Sequence, residues 1–200
     1  MTEYHDRVFT KDDIKGQDFE QCEFVKCRFI NANLHFVSFK KCIFRTCDLS
    51  SNPFDITTFS KCSFPESKLS NVDFTQTHID TCDFTKSILK YCVFQKLKTG
   101  STYERKMMDL RSSLFSVADL TGAVFNYCDL TKVSFQKANL ESVVFERCNL
   151  KETDLTRTTI YGVNFTTSTL DHTVLDMDGF IAYGNSKGFI LDVQITKTIE

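Results

Sequence analysis

Nine cysteines and four histidines are the side chains of this sequence with the most chemistry open to them. Close groups of thiols and imidazoles hold zinc, thiol pairs form disulfides, and a thiol beside a base is a nucleophile. The spacing argues against each. No C-x₂-C pair occurs, and His5, His35, His78 and His172 are scattered along the chain. Asp171, His172 and Thr173 are adjacent in sequence, but a catalytic triad is assembled by the fold and not by adjacency. Nor is there a glycine-rich phosphate cradle or a nucleophile elbow. The reading is a non-enzymatic protein with no catalytic residue, no metal site and no cofactor.

The cysteines share one frame. Cys22, Cys27, Cys42, Cys47, Cys62, Cys82, Cys92, Cys128 and Cys148 each lie two residues before a large apolar side chain. Elsewhere the same slot holds Ala32, Val37, Val72, Ala118, Ala123, Val133, Ala138, Val143, Val163, or Ser and Thr. This is a slot for small residues, and a free cysteine behaves as a small buried hydrophobe.

The frame itself is a beat of five. From Phe9 to Phe94 every fifth residue is Phe, Ile or Leu; the beat resumes one residue out of phase at Leu110 and runs to Phe180. Eighteen of the 20 Phe lie on it. A period of five is neither the 3.6 of a helix nor the 2 of a strand. It keeps one face inward only if the chain turns a corner every five residues. The 20-residue ladders Phe24, Phe44, Phe64, Phe84 and Cys22, Cys42, Cys62, Cys82 imply four corners to a coil, with like stacked on like. At ~4.8 Å per rung, roughly eight coils make a rod of ~38 Å.

Between Phe94 and Leu110 lie 11 residues more than one step requires. If the coil continues across them, Phe115 stacks over Phe84, Leu120 over Leu89 and Phe125 over Phe94. The reading is therefore a single domain over 1–180, with repeats at 8–94 and 109–180 and a loop at about 96–108. Residues 95–112 carry five basic and two acidic side chains, a net of +3, against −1 for residues 1–94 and −4 for residues 113–200. Long excursions from a rigid scaffold often carry function. Lys96, Lys98, Tyr103, Arg105, Lys106, Met107 and Met108 are the candidate partner-binding residues. Residues 181–200 form a cap or dimerisation segment. In it Phe189, Leu191, Val193 and Ile195 alternate as in a strand, while Gly179, Gly184 and Gly188 argue against a long helix.

The motif (small)-(Asp/Asn)-(Phe/Leu)-x-x recurs in Cys47-Asp48-Leu49, Ala118-Asp119-Leu120, Cys128-Asp129-Leu130 and Ala138-Asn139-Leu140. In this the chain resembles the pentapeptide-repeat family. The resemblance implies an all-β fold, a right-handed quadrilateral β-helix. Size, absence of other domains and the position of the loop are most similar to the quinolone-resistance (Qnr-type) members, which protect type II topoisomerases by resembling DNA. The resemblance implies a rod that binds DNA gyrase or topoisomerase IV through loop 96–108 and shields it from quinolones, and a possible homodimer through the C-terminal end. The alternative is a protein-interaction scaffold or effector rod unrelated to topoisomerases. With a net charge of −2, no direct nucleic-acid binding is expected. The sequence has no apolar run long enough for a membrane span, and its start, MTEYHDRVF, does not read as a signal peptide. The expected location is cytoplasmic.

Overall fold

A computed structural model of the chain describes residues 1–96 and 107–192. The described chain is a four-sided β-solenoid whose short strands pair in parallel with those one coil away. The first wall carries Tyr4, Phe24, Phe44, Phe64, Phe84, Phe115, Phe135 and Leu155. Seven steps join these rungs, and the Asp154–Val174 bridge begins another. The second wall runs from Phe9 through Phe29, Leu49 and Leu89 to Leu120 and Ile160, and the third from Ile14 through Phe54, Phe74 and Phe94 to Phe125 and Phe165. The fourth carries Phe19, Phe39, Phe59, Ile79, Leu110, Leu130 and Leu150. These side chains and the small-slot residues form one continuous core.

Each corner has a definite chemistry. Two residues after the large side chain the backbone enters the left-handed region, as at Gln21, Lys26, Lys41, Thr46 and Lys61, with φ between 52° and 55°. That region costs an L-residue about 1–2 kcal/mol. Glycine holds the same position at Gly122 (φ 67°). There a Cβ would lie 2.6 Å from the ring of Tyr91, which rests on the glycine of the next coil. The Asp or Asn before the large residue also steadies the turn. Asp83 Oδ1 accepts from the Thr85 N–H at 2.8 Å, and Asp129 and Asn139 repeat the pattern on Thr131 and Glu141. Such Asx turns are local, so any coil can contain them.

The small slot does more than save space. Cys42, Cys62 and Cys82 donate their S–H to the carbonyls of Phe19, Phe39 and Phe59 in the coil before, at 3.3, 3.3 and 3.4 Å. Ser67, Ser87 and Thr57 donate in the same way to Phe44, Phe64 and Leu34, at 2.7, 2.9 and 2.8 Å. A buried carbonyl without a donor costs about 1–3 kcal/mol. Size alone accounts for Ala and Val in this slot; the hydrogen bond accounts for Cys, Ser and Thr.

The register holds across the insertion. Phe84 stacks on Phe115 at 5.2 Å and Phe94 on Phe125 at 4.7 Å, and Leu89 donates to Asp119 O. The rung offset is 31 residues there and 20 elsewhere.

Two expectations are corrected here. The repeat does not run to Phe180: the last ladder bond joins Leu155 N to Val174 O, and Phe180 is 67% exposed. The glycines argued only against a long helix, and the helix at this end is short. Met177–Ser186 is helical and contains Gly179 and Gly184. Asp176 caps it by accepting from the Gly179 N–H at 2.9 Å, and Tyr183 meets Phe165 edge-on, closing the end of the core. Residues 187–192 form no strand, and Val193 and Ile195 lie outside the described residues.

Phe84 lies in van der Waals contact with stacked rings above and below and edge-on rings at its sides. Phe84→Ala is expected to lower the unfolding free energy by about 3–5 kcal/mol. Exposed Lys86→Ala should change it by less than about 0.5 kcal/mol. Urea titration of both variants checks this.

Candidate functional site

Departures from the beat are where a uniform rod becomes distinctive, and the largest begins at Lys96. Gln95 ends the strand Val93–Gln95, and Lys96 after it is exposed. Of the candidate loop residues, Lys98, Tyr103, Arg105 and Lys106 lie outside the described residues. Met107 is half-buried.

Met108 is not a loop residue. It is 5% exposed, occupies the small slot before Leu110, and forms with Asp109 a short strand paired to Cys128–Asp129 of the next coil. A thioether flexible enough to fill an irregular gap reads in sequence like a contact residue. The signal missed was its position two before Leu110.

The fourth wall is interrupted beside the insertion. Among the described residues, Asp18–Glu20, Ser38–Lys40, Thr58–Ser60 and His78–Asp80 make one sheet, and Met108–Asp109 pairs in a separate one. On the neighbouring wall, Phe84 N–H donates to Leu114 O at 2.8 Å and Leu114 N–H to Cys82 O at 3.0 Å. The equivalent bonds from Ile79 N–H to Asp109 O and from Asp109 N–H to Thr77 O are absent among the described residues. The adjoining third wall is irregular at the same corner. Pro53 has no N–H to give, and the rings of Phe54 and Phe74 meet at 75°, where Phe64 and Phe84 are within 3° of parallel.

A groove of about 440 Å³ opens there, lined by Ile56, Thr75, Gln76, Thr77, His78, Ile79, Gln95, Lys96, Met108 and Asp109. Asp109 accepts both a backbone and a bidentate side-chain bond from Arg111. The Arg111 hydrogen bonds hold its carboxyl below the usual carboxylate range. Arg111 also reaches Asp129 of the next coil at 3.6 Å.

Elsewhere the surface charges pair across coils: Lys40 with Glu20, Arg45 with Glu23, Lys132 with Glu152 and Lys151 with Asp171, at 2.9–3.4 Å. Exposed pairs of this kind add little stability, but they divide the rod's charge into neutral patches. At the C-terminal end, Met177, Phe180, Phe189, Ile190 and Leu191 are 58–93% exposed. A second groove of about 450 Å³ runs between the helix and Phe189–Leu191.

The thiols of Cys47 and Cys92 are unsuited to nucleophilic work. All nine thiols are free and buried, and burial pushes those of Cys47 and Cys92 up to about 12. No cluster of three or more His, Cys, Asp or Glu among the described residues could hold a metal ion. At pH 8, Cys47 and Cys92 should resist a disulfide thiol reagent in the native protein and react once it is unfolded. In the unfolded chain they ionise near 9.0 and in the folded one near 12. The stability they contribute is therefore whole below pH 9.0 and falls as pH rises towards 12. Denaturant titrations across that window should show the decline.

Comparison with known proteins follows the geometry. The family profile described as Pentapeptide repeats matches in 8 copies, over residues 14–50, 109–136 and 134–171. No curated protein matches the chain. Among solved structures it is similar to full-length QnrB1, a plasmid-mediated fluoroquinolone resistance protein, at 16% identity and a TM-score of 0.51. The match covers 92% of this chain and 98% of that one. It is also similar to HetL, a pentapeptide repeat protein involved in heterocyst differentiation regulation from the cyanobacterium Nostoc, at 15% identity and a TM-score of 0.37. That match covers 88% of each chain. At 16% identity the likeness to QnrB1 speaks for the fold alone. No helix among the described residues is long and apolar enough to cross a membrane.

Proposed function

The chain belongs to the pentapeptide-repeat family, and from that premise we propose that it is an interaction rod that binds DNA gyrase or topoisomerase IV and protects it from quinolone-type inhibitors. The observation that carries this reading is a continuous solenoid interrupted on one wall by a single basic insertion, in a chain that aligns nearly end to end with a fluoroquinolone resistance protein. The rod would lie along the enzyme's DNA-handling surface. Its second half, net −4, would face the groove that normally receives the polyanionic duplex. Lys96, Lys98, Tyr103, Arg105, Lys106 and Met107 would contact the enzyme; Met108, buried in the coil, is not among them.

A second reading has an observation of its own. The cross-coil ion pairs neutralise Glu20, Glu23, Glu152 and Asp171 on the rod's surface, which favours a scaffold for some other protein partner over a duplex mimic. In either case the exposed apolar C-terminal end would join two copies about a twofold axis, the commonest form of oligomer.

Deleting residues 97–107 removes 11 residues and restores the five-residue step from Phe94 to Leu110, so the rod should remain folded. The intact chain is expected to relieve quinolone inhibition of gyrase supercoiling, and the deletion variant to lose that relief with an unchanged circular dichroism spectrum. Absence of relief by the intact chain with several gyrases and with topoisomerase IV would remove the topoisomerase reading. Light scattering should find a dimer that Phe180→Asp converts to monomer.

A further inference from the structure

We propose that the stacked cysteines bind soft cations of linear two-coordination, mercuric ion foremost, each held between the thiolates of two adjacent coils. Eight of the nine cysteines have another one rung away: Cys22, Cys42, Cys62 and Cys82 on the first wall, Cys27 and Cys47 on the second, Cys128 and Cys148 on the fourth. Cys92 stands alone, between Val72 and Ala123 in its column. Paired thiols point the same way. Cys42, Cys62 and Cys82 donate to the carbonyl 23 residues earlier at 3.3–3.4 Å, and Cys27, Cys47 and Cys148 do so at 3.2–3.3 Å. Neighbouring thiols also interact directly: Cys62 with Cys42 and Cys82, Cys47 with Cys27, and Cys148 with Cys128.

The rung spacing selects the chemistry. The stacked rings beside the first-wall thiols are 4.8, 5.0 and 5.0 Å apart, so sulfurs in the same orientation are separated by that much. In-register Cβ atoms are likewise about 4.8 Å apart, whereas a disulfide wants them at about 3.5–4.5 Å. A thiolate–metal bond is about 2.3 Å long, so two of them in line span about 4.6 Å. The ladder is thus too wide for a disulfide and suits a cation between its sulfurs. Sites of three or more ligands are absent among the described residues, but a linear ion needs two, and thiolate favours a soft one. Mercuric ion displaces one proton from each thiol to solvent and forms two sulfur–mercury bonds, leaving an uncharged unit. A monovalent ion between two thiolates leaves a negative charge in the aromatic core, which is costly. Entry is nearest at Cys22, which is 5% exposed beneath Thr2–His5, a strand with a neighbour on one side only.

Titration of the reduced full-length chain with mercuric chloride at neutral pH tests the proposal. Four two-sulfur sites per chain are expected from the eight paired thiols, two on the first-wall ladder and one on each other pair. Each ion should release about two protons. Loading should be slow, because buried thiols are reached through local opening. X-ray absorption should find two sulfurs at about 2.3 Å and no third ligand, with the circular dichroism spectrum unchanged. Cys27→Ser keeps a donor in the slot, as Ser67 does, and should lower the two-sulfur count from four to three. Cys92→Ser should leave it at four. No uptake by the native chain, loss of the β spectrum on loading, or ions held by single thiols would each overturn the proposal. So would a count that Cys27→Ser does not move.

Discussion

A parallel coil can stack only if every turn returns the chain to the same wall with the same side chain facing inward. In this protein that constraint is a 20-residue register, and the rest of the structure follows from it. Large side chains stand over large ones, so stacked rings run from Tyr4 to Phe135 on one wall. Small-slot residues stand over one another, so a thiol or hydroxyl meets the carbonyl released at the corner beneath it. A one-residue slip would break both sets of contacts at every later rung. The insertion is therefore taken up whole, and the offset changes from 20 to 31 in one place.

The same constraint explains what the sequence made legible. The beat, the four ladders and the continuation across the insertion depend on large apolar residues whose position is their function, and each is visible without coordinates. Phe94 over Phe125 could be derived by counting. The donor role of the small slot was harder to see. Cys, Ser, Thr, Ala and Val look alike by size, and only the carbonyl 23 residues earlier separates the donors from the spacers. Met108 failed for a related reason: it is neither small nor on the beat, yet the gap it fills is real.

The short C-terminal helix was not legible in the sequence because local propensity opposes it. Glycine is a poor helix former by about 1 kcal/mol, and two of them in ten residues argue against a helix. But an open solenoid end must be covered. Tyr183 in the helix and Leu175 just before it pack against the core at the last rung. An N-cap at Asp176, also within reach of the Arg157 N–H at 2.6 Å, fixes where the helix begins.

A solenoid built this way carries little information about partners in its repeats, since every coil satisfies the same local conditions. What distinguishes one such rod from another must sit where those conditions are relaxed. In this chain the relaxations converge on one corner. Pro53 removes a donor from the third wall, the Phe54–Phe74 pair turns edge-on, and among the described residues the fourth-wall ladder has its last paired strand at His78–Asp80. Each disturbance alone costs a coil some of its pairing. Clustered, they share the loss over adjacent rungs, while the first and second walls remain continuous across the same level. The first and second walls, and the third from Phe74 to Phe125, carry the register past the insertion.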